Sequence, residues 1–189
     1  MIAKRAGMTP AMMHYYFKDR EQLLDCVVEE RLAPLIASVW EPVGPGTPPA
    51  AIISGVVERM LAGIDRMPWV PSTWMREVLN DGGLLRSRVL RHLPLGKVRM
   101  LSEAIVEGQG NGVISTEIDP VLIVFSMIGL VMMHSATARF FDEVFRRKTL
   151  GRETMCRHIT GLLLHGLEHS VMSGGKTKDI EQKRRNLAR

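Results

Sequence analysis

Residues 2–24 read I-A-K-R-A-G-M-T-P-A-M-M-H-Y-Y-F-K-D-R-E-Q-L-L, and this is the most informative segment of the sequence. A first helical piece ends at Gly7, which can take the positive φ of a tight turn. Thr9 is a candidate N-cap, with Pro10 at the first helical position, where its missing N–H costs nothing. We expect a short helix from Pro10 to about Phe17. Helix, glycine turn and capped short helix form the helix-turn-helix pattern, whose second helix enters the major groove of DNA.

The next helix is predicted to begin at Asp19, which caps it. Gln22 stands three residues later, so the pair forms a D-x-x-Q variant of the capping box. The helix carries a core-facing stripe made of Leu23, Leu24, Val27, Val28 and Leu32.

The rest of the chain also indicates helices only. No segment alternates apolar and polar residues over the length of a strand, so we predict an all-α protein. Proline and glycine mark the ends of the helices, and Asp119-Pro120 is a second cap-plus-proline start. The expected helices cover residues 48–66, 71–80, 84–109 with an interruption at Pro94, 119–145 and 152–172.

Composition limits the class of protein. The chain has 189 residues, 46% of them hydrophobic and 24% charged, which fits one domain with a sizeable core. Two cysteines without a C-x-x-C spacing and no apolar signal segment indicate a reduced, cytoplasmic chain. Most of the net charge of +5 lies in residues 173–189, so the charge by itself says little about nucleic acid.

The opening segment resembles the DNA-binding motif of TetR-family transcriptional regulators. That motif reads I-A-x-x-A-G-V-S, continues as a short helix ending in an aromatic group, and leads into a Ser-Lys-Glu-x-Leu-Leu helix start. Met8 and Thr9 occupy the positions of the Val-Ser pair, and His14 occupies a position where the family usually has tyrosine. The matching residues are Ile2, Ala3, Ala6, Gly7, Tyr16, Phe17, Asp19, Arg20, Glu21, Leu23 and Leu24.

The resemblance implies which residues contact DNA. Those facing the groove or its walls would be Thr9, Pro10, Ala11, His14 and Tyr15. Those holding phosphates would be Tyr16, Lys18 and Arg20, with help from Lys4. Met13 and Phe17 would be core residues. Base readout would be more apolar than hydrogen-bonded, directed at thymine methyl groups.

The family's DNA-binding domain begins one helix earlier than this sequence. We expect that helix to be missing through a misassigned start, so the domain is incomplete at its N-terminus. Part of the apolar cover would then be absent from Ile2, Ala6, Met13, Phe17 and Leu24.

Two C-terminal helices predict a homodimer. Residues 121–133 are apolar except for Ser126 and Gly129, and this run is shorter than the roughly 18 residues of a membrane span. A helix apolar on all sides must be covered by protein, so we expect a second copy and no membrane. The last helix carries a similar stripe, and the alternative is a monomer core. The stripe consists of Ile159, Leu162, Leu163 and Gly166, with Gly161 also allowing close approach.

The middle helices are rich in Met and Trp, which can line an adaptable apolar cavity for an effector. An ordinary core is the alternative for each residue, and Trp74, Met75 and Met133 are the strongest candidates. The full candidate set is Met60, Trp69, Trp74, Met75, Phe125 and Met133.

Two polar clusters have simpler explanations. The cations between Asp81 and Glu103 could attract an acidic effector, although a solvated face is favoured; they are Arg86, Arg88, Arg91, His92, Lys97 and Arg99. His158, His165 and His169 share a helix face and could bind a metal, but a surface or interface role is favoured. We find no catalytic or nucleotide-binding motif, and predict neither an enzyme nor a cofactor or metal.

Together these patterns predict a ligand-responsive transcriptional regulator, a repressor that leaves its near-palindromic double-stranded DNA operator when a small molecule binds. Residues 1–31 would form the partial DNA-binding domain, residues 32–172 the effector-binding and dimerisation domain, and residues 173–189 a basic flexible tail. The alternative is a dimeric ligand-sensing module that does not bind DNA in this truncated form.

Overall fold

The computed structural model describes residue 7, residues 9–146 and residues 151–167, without the side chains of Pro10 and Met13. Within these residues the secondary structure is helical and contains no strand, so the all-α prediction is confirmed. The predicted tail, Lys4 and His169 lie outside the described residues.

Nine helices follow one another along the described chain. They are α1 (Pro10–Tyr16), α2 (Arg20–Val27), α3 (Ala33–Trp40), α4 (Pro49–Arg66), α5 (Val70–Thr73), α6 (Arg86–Leu90), α7 (Leu95–Gly110), α8 (Leu122–Phe145) and α9 (Arg152–Leu167). A π-helical turn, Val28–Leu32, joins α2 to α3 without a break, and a second one, Trp74–Val78, extends α5. The predicted boundary between residues 31 and 32 therefore falls inside one helical run.

Helix α4 is the centre of the core. It packs against α3, α7, α8 and α9, and Ile53, Val56 and Val57 have no exposed surface. Its buried residues recur in adjacent pairs four residues apart, from Ile52 and Ile53 to Met60 and Leu61, so they form one broad apolar face. The remaining helices are arranged around it.

Prolines and caps explain where the helices start. The predicted helix 84–109 is two helices, since α6 ends at Leu90 and Pro94 caps α7. Proline disfavours helical conformation in the residue before it, which separates the two. Asp119 Oδ1 accepts hydrogen bonds from the N–H groups of Val121 and Leu122 at 2.8 and 3.0 Å, so α8 begins just after the predicted start.

Helix α8 corrects the argument about membranes. It has 24 residues, and its most apolar 18-residue window has a mean hydropathy of 1.5, so by length and composition it could cross a membrane. The apolar run of residues 121–133 is therefore only part of a longer apolar helix. The core helix of a soluble protein passes the same test, and Ile123, Val124 and Met127 of α8 are buried in the core.

The predicted seam on α9 is wrong in part. Ile159 and Leu163 are buried within the single chain, with 0% and 5% of their surface exposed. Leu162, at 53%, and Gly166 remain on the outside. The periodic pattern marked one apolar helix surface, but α9 packs against both α4 and α8 and divides that surface between core and exterior.

Candidate nucleic-acid interface and effector cavity

The start of α1 is built as the sequence predicts. Thr9 Oγ1 accepts a hydrogen bond from the N–H of Met12 at 3.2 Å, so Thr9 is the cap. Gly7 has a φ of +66°, a conformation that side chains with a Cβ rarely adopt. Glycine and cap together set the direction in which the short helix leaves the turn.

The turn between α1 and α2 is closed by two reciprocal hydrogen bonds. Asp19 Oδ1 accepts from the N–H of Gln22 at 2.8 Å, and Gln22 Oε1 accepts from the N–H of Lys18 at 2.7 Å. The cap residue is confirmed, while the glutamine bonds one residue before the cap instead of the cap itself. Because both N–H groups are satisfied locally, α1 and α2 are held at a defined angle.

The outward side chains of α1 form an exposed aromatic and cationic surface. Tyr15 is 84% and Tyr16 is 62% exposed, and their rings meet edge to face with centroids 5.3 Å apart. No acidic residue precedes Asp19 in the sequence. The other exposed candidates for DNA contact are Thr9, Ala11, His14, Lys18 and Arg20.

Phe17, predicted as a core residue, is only half-buried and does not join the side chains that pack against the core. Leu24 is also partly buried and packs against the core, whereas α2 as a whole has no fully buried residue. The segment 9–27 is therefore packed lightly compared with α4.

Helix α6 is tied to α2 by an ion-pair cluster. The guanidinium of Arg88 donates to Glu21 and, at 2.5 Å, to Asp25, and Arg91 lies 3.9 Å from Asp25. The Arg88 side chain is only 13% exposed. The two carboxylates raise the pKa of Arg88 above its ordinary value by accepting these hydrogen bonds.

This cluster corrects the interpretation of the arginines between Asp81 and Glu103 as a solvated face. Arg88 reaches across to α2, and His92 Nε2 lies 3.1 Å from Glu29 on the first π-helical turn. Arg86 pairs locally with Asp81. The sequence did not predict these partners because the acids are more than 60 residues away. The available signal was that residues 1–31 carry as many acidic as basic residues, so acids were present there to pair with the arginines.

The turn before α6 is also held by an acid. Glu77 accepts from Arg76 Nε at 2.9 Å and from the N–H of Leu84 at 3.3 Å. The hydrogen bond from Arg76 is the main cause that lowers the pKa of Glu77, with help from the Leu84 N–H and the charges of Arg76 and Arg20.

An apolar cavity of about 170 Å³ lies among α3, α4, α5 with its π-helical extension, α7 and α8. Of the predicted effector residues, Met60, Trp74 and Phe125 line it. Trp69 lines a second, more polar groove with Asp65 and Arg139, and Met75 and Met133 line neither. The prediction therefore placed three of six side chains in one site.

The sequence prediction named no residue from two stretches of the cavity wall. One is α3, which contributes Leu35, Ile36 and Trp40. The other is the link between α6 and α7 with the first residue of α7, which together contribute residues 93–95. The strongly apolar composition of α3 was a signal for the first, while only the tertiary packing brings the link to the cavity. Because this link directly follows α6, the cavity wall is continuous with the helix that holds Arg88.

An apolar face runs along the outside of α8. Its exposed members are spaced three, four or seven residues apart, as on one helix face, and comprise Leu122, Phe125, Gly129, Met133 and Phe140. Leu162 and Gly166 are exposed on α9, which packs beside α8. Such a contiguous apolar surface is typical of a protein contact.

The histidines of the last helix do not form a metal site in the described residues. The ring of His158 lies edge to face with that of His134, with centroids 5.9 Å apart. No group of three potential ligands from His, Cys, Asp and Glu occurs within residues 9–146 and 151–167.

No protein-family model matches the sequence, and no curated protein matches it. Among solved structures, the chain is similar to a crystal structure described as that of a TetR-family transcriptional regulator from a Rhodococcus species. The two share 21% sequence identity with a TM-score of 0.61, over 87% of this chain and 84% of the other. At that identity the similarity concerns the fold, so this chain has the fold of that regulator.

Proposed function

We propose that this chain, with the fold just compared, is a TetR-family transcriptional regulator that binds DNA as a homodimer and is released by a small molecule. The observation that carries the proposal is the capped, exposed short helix α1 in the position of a recognition helix. Residues 1–31 would bind DNA, residues 32–172 would bind the effector and the second copy, and residues 173–189 would be a flexible basic tail. The protein would act in the cytoplasm, as a repressor and without enzymatic activity.

The surface of α1 supports the DNA-binding role. Tyr15, His14 and Ala11 are exposed and would face the major groove, while Tyr16, Lys18 and Arg20 would hold phosphates. The tyrosine hydroxyls and the two cations offer donors and no competing carboxylate precedes Asp19. In this arrangement phosphate contacts set the position of the helix, and the few contacts to base edges set its sequence preference.

The apolar face of α8 supports dimerisation. Two copies joined through α8 and α9 would form a four-helix seam around a twofold axis. Leu122, Phe125 and Met133 would leave water at this seam, which explains why so much of an apolar helix is exposed in one chain. The twofold axis would place two α1 helices on a near-palindromic operator, about one DNA turn apart.

The connection through α6 supports ligand response. Residues 93–95 line the cavity, and Arg88, one turn earlier, holds Glu21 and Asp25 of α2. A ligand that changes the position of the link would therefore shift α6 and the DNA-binding helices with it. The ligand would bind more tightly to a dimer form in which the distance between the two α1 helices does not match the operator, and this would shift the population away from DNA.

A salt titration of DNA affinity tests the proposal. The full chain is mixed with a fluorescent duplex library, bound sequences are enriched, and the affinity for the selected duplex is measured by anisotropy from low to high salt. We expect a selected near-palindrome, bound with a steep negative dependence of log K on log salt.

The alternative function predicts a different result. A dimeric ligand-sensing module without DNA binding would yield no enriched sequence and no salt-dependent affinity. If the chain fails and an N-terminally extended version succeeds, the alternative holds for this form of the chain only. If both fail while the dimer forms, the regulator proposal is overturned.

A further inference from the structure

The wall of the cavity contains hydrocarbon almost exclusively. Its side chains belong to leucine, isoleucine, valine, proline, methionine, phenylalanine and tryptophan, and none carries a charge, a hydroxyl or an amide. The only side-chain N–H groups are the indoles of Trp40 and Trp74. A ligand inside would find no charged side chain to pair with a carboxylate, phosphate or ammonium group.

Two cations lie on the helices that form the wall but do not face the cavity. Arg59 Nε donates to the carbonyl oxygen of Val39 at 2.6 Å, and Lys97 Nζ donates to the carbonyl oxygen of Val43. Both side chains are partly buried and already bonded to backbone. A buried ligand anion would therefore gain no compensating ion pair, and desolvating it costs several kcal/mol.

The mouth of the cavity is apolar as well. Leu95 and Val121 line the cavity and are also exposed, at 67% and 52%. A ligand would enter past these two side chains. An apolar cavity of about 150 Å³ holds one benzene-sized molecule, so a cavity of about 170 Å³ sets a comparable limit.

We propose that the effector is an uncharged, predominantly hydrocarbon molecule of about the size of one substituted ring, bound by apolar contact alone. The inference rests on the proposed function, since it assigns this cavity as the effector site. Specificity then depends on shape and on the absence of charge. Anionic metabolites are excluded by the cost of burying a negative charge without an ion-pair partner.

The test uses two probes of nearly equal size and shape, cumene and benzoate, with the full chain in the absence of DNA. Tryptophan fluorescence reports binding, because Trp40 and Trp74 line the cavity, and the thermal midpoint gives an independent measure. We expect cumene to bind and to raise the midpoint. The benzoate should bind at least about a hundredfold more weakly at neutral pH.

A matched pair of variants locates the binding. Val98 lines the cavity from α7, whereas Val106 on the same helix is 56% exposed and outside the wall. Val98→Phe should reduce cumene affinity at least about tenfold by filling the space, and Val106→Phe should leave it unchanged. Circular dichroism confirms that both variants are folded.

Three results would overturn the inference: equal or tighter binding of the benzoate, no binding of cumene by the folded chain, or binding that Val98→Phe leaves intact. The ligand pair decides the question even if Val98→Phe does not fold. DNA release is measured separately on the selected duplex. If cumene binds but does not release DNA, the proposed ligand response is wrong and the proposed chemical class of the ligand still holds. If only a charged molecule releases DNA, the ligand response holds and the chemical class is wrong.

Discussion

A Cβ atom added at Gly83 would overlap the backbone carbonyl oxygen of Glu77, whereas one added at the adjacent Gly82 would meet no atom within 4 Å. At the scale of single residues, the turn before α6 therefore depends on one of its two glycines. The same turn carries the hydrogen bond from the N–H of Leu84 to Glu77. Since α6 holds Arg88, a shift here would also move the contact with α2.

We expect Gly83→Ala to lower the free energy of unfolding by about 2 kcal/mol, because backbone must move to admit the methyl group. Gly82→Ala is the matched control and should change it by less than about 0.5 kcal/mol or raise it slightly. Urea denaturation followed by circular dichroism measures both. Equal effects of the two substitutions would contradict the close approach at Gly83.

Tyr16 and Arg20 are exposed, so replacing them tests DNA contact without disturbing the core. Tyr16→Ala and Arg20→Ala should each weaken DNA binding about tenfold on every sequence, as loss of a phosphate contact does. Arg20→Ala should also reduce the salt slope by about one. Arg99→Ala removes an exposed charge from α7 and should leave affinity unchanged; retained affinity in both test variants would show that α1 is misplaced.

At the scale of helices, α6 is short but connects two parts of the molecule. It packs against both π-helical turns, Val28–Leu32 and Trp74–Val78. Its Arg88 pairs with Glu21 and Asp25 of α2, and the link that follows it lines the cavity. Irregular helical turns often occur at functional positions, and here both contact the helix that would transmit a ligand signal.

Arg88→Gln should lower stability by about 1 kcal/mol, since its acidic partners are half-exposed and return to water. More specifically, the substitution should reduce the effect of the ligand, measured as the DNA affinity without effector divided by the DNA affinity with effector. Arg86→Gln, which loses only the local pair with Asp81, should keep that ratio. The two ratios are measured by anisotropy on the selected duplex, and an unchanged ratio in Arg88→Gln would exclude α6 as the coupling element.

At the scale of the whole molecule, the exterior of α8 is unusually apolar for a single chain. Only 28% of the residues in its most apolar window are buried, and Phe125 and Phe140 are more than 60% exposed. A surface of this kind needs cover, and a second copy supplies an identical one.

Met133 lies on this face and is 49% exposed, so Met133→Glu should leave the fold intact and shift the protein from dimer to monomer. Placing two carboxylates near a twofold axis costs desolvation and repulsion. Leu79→Glu, at a site 56% exposed outside α8 and α9, should remain dimeric. Sedimentation equilibrium distinguishes the two, and a dimeric Met133→Glu would rule out this face.

The helical class, the capped turn at Thr9 and Asp19, and the apolar nature of α8 could be predicted from the sequence, because caps, glycine turns and periodicity act over a few residues. Tertiary structure decided which side of α9 joins the core, that Met75 and Met133 lie outside the cavity, and that Arg88 meets Asp25 across 63 residues. Those outcomes depend on how helices pack around α4, and packing is set by the shapes of many distant side chains together.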